Sequence, residues 1–169
     1  MLSNVKDELN RFAKYVISQS RANLTRGKKN SSKELYNSLK SNLNVSPNSF
    51  GLKFLMEDYG VFQDKGVSGK KVKYNTPFSY KDKIPPPSKM DKWIVRKGLK
   101  GTRDKEGRFI SRKSLQFMIA RSIFNKGIKP SMFFTKPFKK AFDNLPKDIV
   151  EAYKLDVEEL IKYTTNGNN

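Results

Sequence analysis

The sequence runs to 169 residues, with 35 Lys and Arg against 16 Asp and Glu, a formal net charge of +19, and neither Cys nor His. Disulfides, thiolate chemistry, imidazole bases and zinc sites of the usual ligand types are thereby excluded, and a field of that sign favours polyanions or acidic protein surfaces as partners while saying nothing about fold. Twelve Phe and seven Tyr argue against general disorder, so the chain reads as one domain with a compact core and long solvated stretches.

Val5, Leu9, Phe12, Ala13 and Val16 recur at helical spacing behind Ser3 or Asn4 as a cap, with Asp7 and Glu8 in the first turn. This predicts a helix of about four turns, which Leu24 extends. Residues 26–32 then form a polar loop. Leu35, Leu39, Leu43 and Val45 precede Ser46-Pro47-Asn48-Ser49, and Phe50, Leu52, Phe54 and Met56 alternate after it. That pattern is a β-hairpin, although residues 33–39 read equally as a short helical turn. The stretch 57–66 fits a short helix or a tight corner.

Residues 67–88, rich in Gly, Ser, Pro and Lys and closed by Pro85-Pro86-Pro87, predict an extended, exposed loop. Ser88 is placed to cap a short helix with the stripe Met90, Trp93, Ile94 and Val95, which Gly98 ends. Residues 99–110 form a second charged loop. Ser111 or Ser114 caps the next helix, whose stripe is Leu115, Met118, Ile119, Ser122 and Ile123, flanked by Phe117 and Phe124. An apolar connector holding Pro130 and Pro137 leads to a last helix over roughly 139–163. Phe142, Leu145, Ile149, Ala152, Tyr153, Val157, Leu160 and Ile161 form its stripe, with Pro146 as a kink or a restart. Glu151, Asp156, Glu158 and Glu159 read as its exposed face, and residues 164–169 as a fraying tail.

This order is α+β, a small antiparallel sheet packed with N-terminal, middle and C-terminal helices. A two-stranded sheet is marginal alone, so a further strand is expected from 70–84 or 128–135. Residues 1–169 read as a single α+β domain, with 67–113 a long basic, loop-rich insertion within it. No apolar run approaches the ~20 residues of a membrane span, and the first residues lack the basic and apolar regions of a signal peptide. A cytosol-like compartment and no membrane partner are expected.

Glu57-Asp58 and Asp104-Lys105-Glu106 are the tight acid pairs outside the termini. Both sit at turns among Lys and Gly, where solvated charge explains them more simply than metal or acid–base use. A small metal-dependent nuclease using Glu57, Asp58 and a distant acid is the third reading. Gly98-Leu99-Lys100-Gly101-Thr102 lacks the Gly-Lys-Ser/Thr ending of a phosphate loop. No catalytic, cofactor-binding or metal-ligating residue is assigned.

Residues 70–113 hold 15 Lys or Arg against 4 acids, more than half of the excess charge, with Tyr74, Phe78, Tyr80, Trp93 and Phe109 interleaved. As a nucleic-acid surface, Lys70, Lys71, Lys73, Lys81, Lys83, Arg96, Lys97, Lys100, Arg103, Arg108, Arg112 and Lys113 would meet phosphates. Bases would then stack on Tyr74, Phe78 and Tyr80. As a protein–protein arm, the same aromatics would insert into a neighbour and the cations would meet its acids. No recognised nucleic-acid motif is present, which favours the arm.

Three stretches together resemble the small tail-completion and head–tail connector (neck) proteins of tailed bacteriophages. Asp58-Tyr59-Gly60-Val61-Phe62-Gln63-Asp64-Lys65-Gly66 resembles their tyrosine-to-glycine segment after the hairpin. Residues 127–134, continued by 136–142, look like their proline–aromatic segment leading into the last helix. Pro86-Pro87 through Trp93-Ile94-Val95-Arg96-Lys97-Gly98 is similar to an inserted helix in longer members. The resemblance implies an α+β subunit of a homo-oligomeric ring at the portal–tail junction, present in the virion and, during assembly, in the host cytoplasm. Its implied partners are the portal and other neck and tail proteins, with DNA in the channel as a further contact, and it implies no catalytic residue and no cofactor. The basic insertion at 67–113 departs from the family pattern, and is where such a protein would acquire a new neighbour.

Overall fold

In the computed structural model, which describes residues 2–46, 49–99 and 103–166, helix α1 spans Ser3–Arg26 and buries Val5, Phe12, Ala13, Val16, Ser20 and Leu24. Positions three and four apart share one helix face, so this stripe packs as a unit. Leu24 does extend the helix, to about seven turns, which leaves Asp7 and Glu8 in its second turn. Short α2 (Glu34–Ser38) follows, then strands β1 (Lys40–Ser46) and β2 (Ser49–Leu55). Helix α3 covers Tyr59–Lys65 and β3 is Val67–Ser68. A 3-10 turn over Pro87–Met90 runs into α4 (Asp91–Arg96). Helix α5 (Arg112–Lys126) meets β4 (Gly127–Ile128), and α6 (Thr135–Phe142) and α7 (Leu145–Asn166) follow. The fold class is α+β, as the sequence pattern predicts.

Contacts divide the chain into two compact units. The first comprises Met1–Arg26, Tyr36–Glu57 and Phe133–Asn169; the second, Gly27–Leu35 and Asp58–Met132. In the first, the expected hairpin pairs antiparallel from Lys40 opposite Leu55 to Ser46 opposite Ser49. Its turn residues Pro47 and Asn48 lie outside the described residues. Phe50, Leu52 and Phe54 are half-buried and their neighbours in β2 exposed.

Of the further strand expected from 70–84 or 128–135, only Ile128 stands in a strand, β4, which pairs with β3, so among the described residues no third strand joins this hairpin. Aromatic rings cover it instead. Phe54 meets Phe12, Phe134 and Phe138 edge-on, at 6.0, 5.4 and 5.9 Å between centroids, a geometry that adds to plain burial.

The predicted last helix is two. Helix α6 ends at Phe142, and Pro146 is the second residue of α7, where its missing amide has no helical partner to lose. Of the expected tail, Thr164 and Thr165 continue α7, their hydroxyls donating to the Ile161 carbonyl at 2.9 Å, and residues 167–169 lie outside the described residues. A further correction concerns Asp156. Glu151, Glu158 and Glu159 are exposed as expected, but Asp156 is only 8% accessible, because α7 packs along α1 and turns this carboxylate onto the first amides of α1.

In the second unit, β3 and β4 pair antiparallel, Val67 opposite Ile128 and Ser68 opposite Gly127. The stretch 67–88 therefore does not begin as an exposed loop: Gly66, Val67, Ser68 and Gly69 are all buried. Ser88 does not cap the following helix. Pro87 opens the 3-10 turn with no side-chain cap, and Ile94 is the buried member of the predicted stripe while Trp93 is exposed. Ser111 caps α5 as expected, its hydroxyl accepting the Ser114 amide at 3.1 Å. The buried side of α5 centres on Ala120 rather than on Met118, which is exposed.

Candidate macromolecule-contact surface

Tyr59, Phe62 and Gln63 lie three and four residues apart, so α3 presents them on one side. Val67 and Ile128, opposite each other in the β3–β4 ladder, form a floor beside them. That ladder depends on Gly127, whose φ is +74° and where a Cβ would collide with the Val67 carbonyl and the Gly69 amide. The chain then folds back around Ser68. Its hydroxyl donates to the Tyr74 carbonyl at 3.0 Å and accepts the Tyr74 amide at 2.9 Å. The Ser68 amide donates to the Phe78 carbonyl at 2.8 Å, and the Tyr80 amide to the Ser68 carbonyl at 2.9 Å. Phe78 is thereby set edge-on against Phe62, 4.8 Å between centroids, and Tyr80 beside Phe124 at 6.2 Å.

The product is an open groove of about 640 Å³ walled by Tyr59, Phe62, Gln63, Val67, Pro77, Phe78, Ser79, Tyr80, Lys81 and Ile128. Of the sequence candidates, it gathers Phe78, Tyr80 and Lys81. Partial burial pushes the Tyr80 phenol above its usual range. Lys70 and Lys71 are anchored by their backbone amides, which donate to the Phe124 and Asn125 carbonyls at 2.8 and 2.9 Å. Their side chains, with those of Lys73, Lys81, Lys83, Lys97 and Lys113, are exposed. Tyr74 is half-buried beside Ser68, and Lys100 lies outside the described residues.

The candidate arginines are engaged within the second unit. Arg112 grips the Asp91 carboxylate with two nitrogens at 2.6 and 2.8 Å, and Gln116 donates to the same carboxylate at 2.6 Å. The Arg112 hydrogen bond, with help from Gln116, holds Asp91 below the usual carboxylate range. Arg108 pairs with Asp104 at 2.9 Å and Glu106 at 3.1 Å. The Asp104 carboxylate also accepts the Arg108 and Glu106 amides, which lowers its pKa. Arg103 lies over the Phe109 ring at 3.8 Å, and Arg96 reaches Glu34 at 3.6 Å.

The division extends over the chain. Arg11 pairs with Glu8, Arg21 donates to the Tyr36 and Leu39 carbonyls, and Arg26 donates to Asn23. Arg121 alone among the arginines makes no such contact to the described residues. Of the described lysines, only Lys147 comes within 4.0 Å of a carboxylate. A planar guanidinium suits fixed bidentate pairing, whereas a flexible, strongly hydrated ammonium keeps to solvent.

The sequence reading missed Tyr59, Phe62 and Gln63 as a wall, although their helical spacing was available. Nothing in the pattern pointed to Ser68, whereas Ile128 begins the stretch 128–135 offered for a further strand and stands in β4. Among the described residues, no three acidic side chains gather to hold a cation, and no helix is long and apolar enough to cross a membrane. No family model, curated protein or solved structure matches the chain.

Proposed function

We propose that the chain is a non-catalytic structural subunit that assembles as a homo-oligomeric ring in the neck or tail-completion region of a tailed phage, at the portal–tail junction. The observation that carries this reading is the apolar surface left open. Val150, Tyr153, Leu155, Leu160, Ile161 and Tyr163 of α7 are each more than half exposed, and Phe117 and Met118 of α5 nearly so or more. Large exposed apolar patches on small proteins mark contact sites.

The resembling segments also support the reading by acting as one piece. The Ser131 amide and hydroxyl donate to the Gln63 carbonyl, and the Met132 amide donates to the Asp64 carbonyl at 3.0 Å. The test is native mass measurement and electron microscopy of the protein, alone and with the portal and tail proteins of its own genome. Closed assemblies of discrete copy number are expected. A monomer that ignores those partners overturns the reading.

The alternative is a nucleic-acid-binding protein using residues 70–113. It is favoured by one observation, the unpaired lysines beside an aromatic groove. On that reading the protein binds DNA with a steep salt dependence. Lys→Glu changes at Lys70, Lys71 and Lys73 would then abolish DNA binding and leave assembly intact, since all three side chains are exposed.

A further inference from the structure

Helix α7 carries two apolar stripes. One holds Leu145, Ile149 and Ala152 against the rest of its unit. The other, about a third of a turn round, steps by three and four residues through Val150, Tyr153, Val157 and Leu160. That spacing is the seam by which one helix receives another. Tyr153, Val157, Leu160 and Tyr163 also wall a groove of about 460 Å³, with Asp156 and Glu159 on its polar edge.

The charge of this helix is opposite to that of the chain. It bears five acids and three lysines, within a protein of net +19. Helix α5 is its complement, with four cations and no acid. On α5, Lys113, Phe117 and Arg121 stand at intervals of four on one face, beside Met118. Phe117 is 48% and Met118 53% exposed. The exposed ring is thus bracketed by cations, one of them the arginine that the described chain leaves unpaired.

We propose that the outer groove of α7 in one copy takes the Phe117–Met118 knob of α5 from a second copy, with Lys113 and Arg121 meeting the acids of α7. Like-on-like contact gains less: α5 against α5 opposes cation with cation and no acid, and α7 against α7 brings together two helices of net negative charge. A heterologous contact leaves one knob and one groove unused in every dimer, so association continues head to tail. This inference deepens the assembly reading and rests on it.

Four samples of the full chain test it by native mass spectrometry and sedimentation: wild type, Leu160→Glu, Phe117→Glu, and an equimolar mixture of the two variants. Both positions are exposed, so circular dichroism should match wild type. Wild type is expected to form species larger than a dimer, and each variant alone to be monomeric. The mixture is expected to give a species of about twice the 19.5 kDa subunit mass and nothing larger, because each variant keeps one intact face. That rescue also proves that both variants are folded. A mixture that stays monomeric, or a Phe117→Glu protein that assembles like wild type, overturns the contact. If both variants assemble normally, this contact fails while assembly stands. A wild type that is monomeric at every concentration overturns the contact, and the assembly reading falls with it only if that monomer also ignores the portal and tail proteins.

Discussion

The carboxylate of Asp156 accepts the backbone amides of Asn4 at 2.9 Å and Val5 at 3.1 Å. The first amides of a helix have no partner within it, and here a residue of α7 supplies the cap for α1. The Asn4 side chain adds a bond at 3.0 Å and Ser3 a longer one at 3.5 Å. Burial alone would raise the Asp156 pKa, but the amide and side-chain hydrogen bonds outweigh it and hold the group below the usual carboxylate range.

Replacing Asp156 with Ala should therefore cost about 2 kcal/mol at neutral pH, as removal of a charged cap does. Because the folded pKa is depressed, the contribution is complete above the unfolded value of about 4 and is lost as pH falls through the folded value. Urea titrations of wild type and Asp156→Ala should differ most near neutrality and converge under acid.

Gly127→Ala should cost more than Gly107→Ala. Both glycines have positive φ, +74° and +78°, but a Cβ at Gly127 meets backbone atoms whereas none lies within 4 Å at Gly107. Gly107→Ala should lose only the left-handed penalty of about 1–2 kcal/mol. Gly127→Ala should lose that and the β3–β4 ladder, and amide exchange at Val67, paired opposite Ile128, should accelerate in it alone.

Phe133 is 2% accessible, and its carbonyl accepts the Asn23 side chain at 3.1 Å. Phe133→Ala should destabilise by about 4 kcal/mol, the range for a fully buried ring. A thermal scan checks this.

Tyr80 should ionise above the ordinary tyrosine range because burial disfavours the phenolate. Ultraviolet titration should show a late component that Tyr80→Phe removes. A ligand filling the groove should move that component later still, since it removes more water from the phenol.

Periodicity made α1 and the hairpin legible, because each buries one face with a regular step. It failed where a distant segment decides which face is inner. On α5 it chose Met118 as an inner residue by apolarity, yet the contact is made around small Ala120, and size rather than hydrophobicity governs so close an approach. Asp156 looked solvated because it shares α7 with three exposed glutamates; only the arrival of α1 distinguishes it. The groove was half visible. Phe78 and Tyr80 stood out by type, but they are held by the Ser68 backbone, whose amide and carbonyl bond Phe78 and Tyr80, while the Ser68 hydroxyl hooks the backbone of Tyr74, and such a hook leaves no periodic trace.

The contrast between tethered guanidinium groups and untethered ammonium groups means that frame and coat are chemically separable. Acylating the lysine amines of the folded protein should invert its electrophoretic mobility while its melting temperature changes little, because the arginine bonds that tie the backbone are untouched. Surface polarity is then a property that can be dialled without redesigning the fold.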